Sequence, residues 1–450
     1  MKAIVFVLRG CSASWLGAYG NEWIATPNLD RFAAEGVVFD RHISNSPDHA
    51  AACRTWFATE TALQDNPENP SLLKTLRDGG IKTILVRANH PDTDAPDWFY
   101  AGWDELFDVR PQEEDRFALD SLIRSLPSLL DRLAKVPDFL LWIDMDSLLP
   151  PWKVRQDVFQ AYVEDAEEEN KYEKEPEAED DESLLEGESE AEQTEEEDSV
   201  DLDAELAPEE PVEYPSDIEE EQEPVTPWAD PPTGLFDAKD ADAREWLHWS
   251  LAAMVTGLDA ELGLIFQQLR DRGLDRSASW LLTSDYGYPL GEHGQIGLHR
   301  PWLHEELVHL PLIIRLPNAD EACRRVGQFT QPSDIAPTLL DLFGQVHGSA
   351  ISEGVSLLPL IHGETTTVRE SAISKLEFGT ASELAIRTKE WAFLLPVKVP
   401  PGESREPQLF SKPDDRWEVN DLRARNIERC DEFEEQLKKS VDLHDNLPEV

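Results

Sequence analysis

Cysteine, histidine and the acidic residues are the side chains here that could attack, move protons or hold metal ions, and their spacing limits each. Four cysteines, Cys11, Cys53, Cys323 and Cys430, lie far apart in a chain of 450 residues. None forms a Cys-x-x-Cys pair, so neither a zinc site nor a secreted disulfide framework is indicated. Acidic residues number 92 against 40 Lys and Arg, a formal net charge of -52. About 32 of them fall between Ala161 and Asp230, where Lys171 and Lys174 are the offsetting cations. Removing that stretch leaves roughly -22 for the rest, so the extreme charge belongs to one segment. A field of that sign repels nucleic acid and anionic lipid, and neither is expected as a partner. Dense carboxylates suit a solvating loop first, and a binder of basic proteins or divalent ions second.

The remaining candidates stand singly. Asp285 lies in the polar turn Ser284-Asp285-Tyr286-Gly287, directly after an apolar run, and His293 lies in Gly-Glu-His-Gly. Arg54 follows Asp48 and His49.

These residues need a framework, and the hydrophobic pattern supplies one. Lys2 to Leu8 is a continuous apolar run, the pattern of a strand buried on both faces. Thr26-Pro27 opens a helix with Thr as N-cap and Pro at its first position, Leu29, Phe32 and Ala33 facing inward, and Gly36 ending it. Strand Val37 to Phe39 follows. Helix Ser71 to Asp78 leads to strand Lys82 to Val86, and helix Asp120 to Ala134 leads to strand Phe139 to Ile143. A long amphipathic helix from Arg244 ends near Gly273, before strands Ser279 to Thr283 and Leu312 to Leu316. Asp334 caps a helix through Phe343 that Gly344 stops. This alternation predicts an α/β sheet covered on both sides. Beyond about Ser371 the strands become short and amphipathic (Ala372 to Ser374, Glu383 to Arg387, Trp391 to Leu395, Gln408 to Phe410), with a closing helix from Ile427 to Val441.

From Glu164 to Glu223 the apolar content is too low to offset the entropy of ordering the chain, and disorder is expected. The apolar run after Met1-Lys2 spans about six residues, too short for a signal peptide. No membrane-length apolar run is read from the pattern, and a cytoplasmic protein is expected.

Several phrases together resemble the sulfatase branch of the alkaline phosphatase superfamily. They are Leu16-Gly17-Ala18-Tyr19-Gly20, then Thr26-Pro27-Asn28-Leu29-Asp30-Arg31-Phe32, then Phe139-Leu140-Leu141-Trp142-Ile143-Asp144. Thr283-Ser284-Asp285-Tyr286-Gly287, Leu290-Gly291-Glu292-His293-Gly294 and Ile335-Ala336-Pro337-Thr338 continue the likeness, which covers nearly the whole chain outside the acidic insert. The resemblance implies an α/β, alkaline-phosphatase-like sandwich with a central, mostly parallel sheet flanked by helices. A smaller C-terminal α+β unit would carry an antiparallel sheet. Residues 1–160 and 231–370 would form the α/β domain, 161–230 an acidic disordered insert and 371–450 the C-terminal unit.

The family's reaction needs a divalent cation, a nucleophile on it, and groups that hold the sulfuryl oxygens. Metal binding in the family begins with one or two Asp just after the first strand; the matching positions are Arg9 and Gly10. The nucleophile lies four residues before an Arg; Arg54 puts Ala50 there, and a methyl group cannot attack sulfur. The His of the loop after Phe139 to Ile143 corresponds to Leu149. Asp285 is kept, but its partner is Tyr286, a poor ligand for a hard cation. The Gly-Lys pair that grips sulfate corresponds to Gly297-Leu298, with His299 one position off. Arg54, Asp285 and His293 remain. Arg9 is expected to pair with Asp285 and stand in for the metal's charge. His293 is read as a loop organiser, Asp48 and His49 as surface-loop residues, and Cys11 and Cys53 as buried, inert thiols beside the site.

The leading expectation is a catalytically inactive sulfatase homologue, a pseudoenzyme with no cofactor, whose partner is an anionic small molecule or a basic protein. The alternative is an active sulfuric or phosphoric ester hydrolase using Arg54 with Asp48, His49 or His299 and calcium or magnesium. A third reading makes the folded part a scaffold for the acidic segment.

Overall fold

Strand β1 (Lys2–Leu8) shows why an uninterrupted apolar run builds the centre of this molecule. Its side chains alternate in direction, sending Ile4, Phe6 and Leu8 into one core and Ala3, Val5 and Val7 into the other. Both sets are almost fully shielded from solvent, each large side chain contributing about 1.5–3 kcal/mol by burial.

In the computed structural model, residues 1–57, 71–93, 95–174, 225–237, 239–298, 302–346, 354–401 and 404–440 are described. Met1–Tyr162 and Pro227–Val450 make one compact unit, and Val163–Thr226 a second. Around β1 lie β2 (Val37–Ile43), β3 (Lys82–Arg87), β4 (Glu105–Asp108) and β5 (Phe139–Met145). A two-stranded pair joins β6 (Gly234–Leu235) to β8 (Gln295–Ile296), and β7 (Ala278–Thr283) returns to the centre. Strands β9 (His309–Leu310), β10 (Leu312–Arg315) and β11 (Arg324–Thr330) complete a sheet ordered β11-β2-β10-β7-β1-β5-β3-β4, with β9 also on β2. Pairing is parallel except at β10 and β9, which run against their neighbours.

One face is covered by α1 (Pro27–Ala34), α5 (Asp120–Leu133) and α7 (Ala241–Arg270). The other face carries α2 (His49–Phe57), α3 (Leu72–Asp78), α4 (Asp97–Ala101), α10 (Ile335–Leu342) and α11 (Leu358–Ile361). Short helices α8 (Leu274–Ser277) and α9 (Glu305–Val308) lead into β7 and β9. The C-terminal sheet is antiparallel, β12 (Ala372–Phe378), β13 (Ala381–Arg387), β14 (Trp391–Lys398) and β15 (Gln408–Ser411) in sequence order. Helix α12 (Ile427–Ser440) packs on one side of it through Phe433 and Leu437. Its other side meets Ile43, Leu303, Leu307 and Phe329.

The α/β architecture matches the sequence pattern, with four differences. Strands β4 and β11 escape it, because β4 buries only alternate residues partially and β11 mixes Arg, Gly and Gln into an edge position. Thr26 sits at the N-cap of α1 without a capping bond; its hydroxyl accepts from Gly17 N at 3.0 Å and reaches Asp30 at 3.3 Å. Helix α6 (Gln156–Lys174) continues through the start of the stretch expected to be disordered; the rest of that stretch, 175–224, lies outside the described residues. Finally, α7 is long and apolar enough to cross a membrane, contrary to the expected lack of such a run, and 72% of its most apolar window is buried against the sheet.

Candidate active site

Register brings the candidate residues to one level. Val7 of β1 pairs with Asp144 of β5 and with Thr283 of β7. Arg9 and Asp285 each lie two residues beyond these partners, so the period of two turns all three side chains to the face covered by α2. Gly10, at φ +80°, bridges to Gly287 and keeps the two chain ends together.

The Arg9 guanidinium approaches both carboxylates, its Nε 3.4 Å from Asp285 Oδ2 and its Nη1 4.0 Å from Asp144 Oδ2. It also donates to the Thr93 carbonyl oxygen. All three side chains are buried. Asp285 is the better satisfied carboxylate: Gly10 N donates at 3.0 Å and Tyr286 N at 2.8 Å. Burial raises its pKa, but His49, Arg9 and the Gly10 N–H together hold it below the ordinary carboxylate value. Neither oxygen of Asp144 has a hydrogen-bond partner among the described residues, and burial pushes its pKa up despite Arg9. Nearby Asp146 is held low, against its burial, by His90 (3.1 Å) and Thr93.

Helix α2 adds a second chain of contacts. Asp48 Oδ1 accepts from Ala51 N at 2.9 Å, capping the helix. His49, Ala52, Cys53 and Trp56 then follow the i, i+3, i+4, i+7 spacing of one inward stripe. His49 Nδ1 lies 2.9 Å from Asp285 Oδ2, and its Nε2 3.6 Å from Cys53 Sγ. Asp48 and His49 are therefore not surface-loop residues: one is a cap and the other is a half-buried helical residue on the central carboxylate. The Cys53–His49–Asp285 order is that of a nucleophile, base and orienting acid. The thiol, however, has 0% exposure, and burial pushes its pKa well up. Burial does the same to Cys11.

Ala50 and Arg54 occupy the adjacent flank of α2, four residues apart. Arg54 is half-buried and has no hydrogen bond or ion pair among the described residues. Leu149 covers Gly10: a Cβ at position 10 would stand 2.5 Å from Leu149 Cδ2. Tyr286 and Leu298 pack into the apolar cluster beneath the C-terminal sheet. His293 makes its contacts elsewhere, Nδ1 with Glu306 at 2.7 Å and Nε2 with the Glu418 carbonyl at 3.2 Å. Burial lowers its pKa, but Glu306 outweighs this and lifts it to about 9. His299 lies outside the described residues. Asp144 is the participant absent from the sequence reading as a site residue; His49 and Cys53 enter that reading separately, as an alternative catalytic residue and a thiol beside the site, and not as partners of Asp285. Asp144 was detectable as an acid inside an apolar strand, which has to be buried; His49 and Cys53 were detectable as an i, i+4 pair.

The donor set does not fit a divalent cation. Hard cations take six or more oxygens, and the guanidinium already stands between the two available carboxylates. Among the described residues no group of three or more His, Cys, Asp or Glu is arranged to hold a metal.

Comparison with known proteins places this geometry in context. Residues 4–345 match the family described as Sulfatase, and 291–442 match N-sulphoglucosamine sulphohydrolase, C-terminal. The N-acetylglucosamine-6-O-sulfatase of Bacteroides thetaiotaomicron is 23% identical over 97% of this chain and 83% of its own. Arylsulfatase K of Danio rerio is 30% identical, over 42% of this chain and 36% of its own. In fold, the phosphonate monoester hydrolase of Agrobacterium radiobacter superposes with a TM-score of 0.67 at 16% identity, covering 97% of this chain and 95% of that one.

Proposed function

Because the chain belongs to the sulfatase family, we propose that it is a catalytically silent member whose site is rebuilt around a fixed internal cation and binds an anionic ligand without hydrolysing it. The observation that carries this is the Arg9 guanidinium, 3.4 Å from Asp285 and 4.0 Å from Asp144. A charge permanently bonded to the backbone offsets the carboxylates but cannot activate an oxygen nucleophile as a metal ion does. Ala50 adds no attacking atom, and Leu149 over Gly10 closes the space where further ligands would stand. Arg54, on the flank of α2 and without an ion pair among the described residues, is the group left to attract an anion. Four free thiols support a reducing, cytoplasmic setting.

The test joins metal analysis of the purified protein to a screen of aryl sulfate, phosphate and phosphonate esters. The proposal expects no bound calcium or magnesium and no turnover. Stoichiometric metal with turnover would overturn it.

A second reading, a hydrolase with rearranged chemistry, is favoured by one observation: His49 bridges Asp285 and Cys53 at 2.9 and 3.6 Å. It requires turnover that Cys53→Ser, His49→Ala or Arg54→Ala abolishes while the native fold is retained.

A further inference from the structure

Away from the Arg9–Asp285 group, strand β2 and the C-terminal sheet border a cavity of about 160 Å³. Five cationic side chains line it: Arg41, Arg387, Lys389, Lys412 and Arg416. Two carboxylates, Asp40 and Glu305, face them, and His309 stands with Glu305 at 3.0 Å. In a chain of net charge -52, a concave surface with this excess of cations runs against the composition.

The balance tips further when the ion pairs are assigned. Asp40 is already taken by Arg325, which lies outside the cavity lining. Glu305 is shared between Lys412 at 3.1 Å and Arg387 at 3.5 Å. Lys412 and Arg387 also meet Glu418, at 3.1 and 2.8 Å. Those two cations are compensated from behind. Arg416 donates to the Tyr19 carbonyl at 3.2 Å, lies over the Trp417 ring, and makes no ion pair among the described residues. Arg41 is held over the Phe329 ring at 5.4 Å and makes no ion pair among the described residues. Lys389 is exposed and likewise makes none. Deeper in the wall, Arg387 is 3% exposed, and its Nη1 has no hydrogen-bond acceptor among the described residues. Leaving a buried guanidinium donor unsatisfied is costly, and convergent unpaired cations in a cavity attract an anion that can accept several N–H bonds at once.

We infer that this cavity is a binding site for a small tetrahedral oxyanion, a sulfate or phosphate group, separate from the degenerate centre. The cavity volume suits one such group with a small substituent, and Ile43, Phe329 and Pro413 supply the apolar wall the substituent would meet. Arg41, Lys389 and Arg416 supply the uncompensated charge and contact the anion, while the Nη1 of Arg387 offers a further donor from the wall. Arg9, Ala50, Asp144 and Asp285 do not line this cavity, so the inference stands whether or not the family reaction survives.

Thermal unfolding and calorimetric titration of the full chain test it, with inorganic sulfate and inorganic phosphate as probes and chloride at matched ionic strength as the control. Arg41→Ala/Lys389→Ala is the informative variant, because neither side chain makes an ion pair among the described residues; Arg54→Ala removes the anion-attracting group proposed for the degenerate centre. The expected result, read in the Arg54→Ala background so that an anion held at the degenerate centre does not contribute, is saturable binding of one or both oxyanions, weakened about tenfold or more when Arg41→Ala/Lys389→Ala is added. Stronger binding of one probe tells which oxyanion the cavity accepts. In that background, stabilisation no greater than that by chloride, or binding that persists undiminished when Arg41→Ala/Lys389→Ala is added, would each overturn the inference.

Discussion

The guanidinium of Arg9 lies 3.4 Å from the Asp285 carboxylate, whose same oxygen is 2.9 Å from His49 Nδ1. One buried carboxylate thus joins the ends of two central strands to the first turn of α2. The pair supplies both the electrostatic balance of the site and the contact that seats the helix.

Removing the cation should expose that dependence. Arg9→Leu leaves Asp144 and Asp285 facing one another in the core, and a broken buried pair costs about 3–5 kcal/mol. Urea unfolding of the variant should show the loss; a midpoint equal to the native one would separate Arg9 from the stability of the site.

The two carboxylates should respond oppositely to neutralisation. Asp285 is held below its ordinary pKa, so its contribution is present at neutral pH and fades as pH falls through the acid range. Asp144 is raised, so its contribution is present in acid and is lost as pH rises through its folded value. At pH 7, Asp285→Asn should therefore cost about 2–4 kcal/mol, whereas Asp144→Asn should stay within about 1 kcal/mol of the native protein. Equal losses would contradict the asymmetry.

Stability should peak between mildly acidic and neutral pH through the contacts of His293 and Glu418. Glu418 is buried, which raises its pKa, but Arg387, His304 and Lys412 pull it to about 2; its share is present above the ordinary Glu value and lost as pH falls toward 2. His293, lifted to about 9, contributes fully below its ordinary value and loses that share as pH rises through 9. Melting temperature against pH, with His293→Gln and Glu418→Gln as references, should show the alkaline limb flattening in the first and the acid limb in the second. Unchanged limbs would assign the pH dependence to other groups.

Thiol reactivity should divide by burial. Cys323 is exposed, and Cys11, Cys53 and Cys430 are buried, so a neutral alkylating agent should modify Cys323 in the native protein and the others only after unfolding. Rapid native labelling of Cys53 would instead favour the reading in which it is a nucleophile.

If the centre is silent as proposed, adding one attacking atom should not produce catalysis. Ala50→Cys or Ala50→Ser places a nucleophile on α2 but leaves the Arg9 cation and the Leu149–Gly10 contact in place. Measurable ester turnover in either variant would show that the centre needs only its nucleophile.

Much of this was readable in the residues themselves. Lys2–Leu8, Phe139–Met145 and Ala278–Thr283 are apolar for almost their whole length, and nothing but a two-sided core accommodates that pattern. The proposal that Ala50 lacks an attacking atom and that Arg9 reverses a charge rests on residue identity, read in the register that the surrounding phrases set. Length and composition could not separate α7 from a membrane span; packing against the sheet did.

What required the tertiary structure was convergence. His49 and Asp285 are separated by 236 positions and Arg9 and Asp285 by 276, and local pattern carries no information on which distant side chains share an oxygen. The sheet register decided that Arg9, Asp144 and Asp285 turn to one face. The packing of α2 on that face decided that His49, rather than Ala50, reaches the carboxylate. Cations at Arg41, Arg387 and Lys389 likewise meet around one cavity because β2 and the C-terminal sheet bring them there. Chemistry at each position was set by its side chain, while the partners, burial and protonation of those side chains were set by folding.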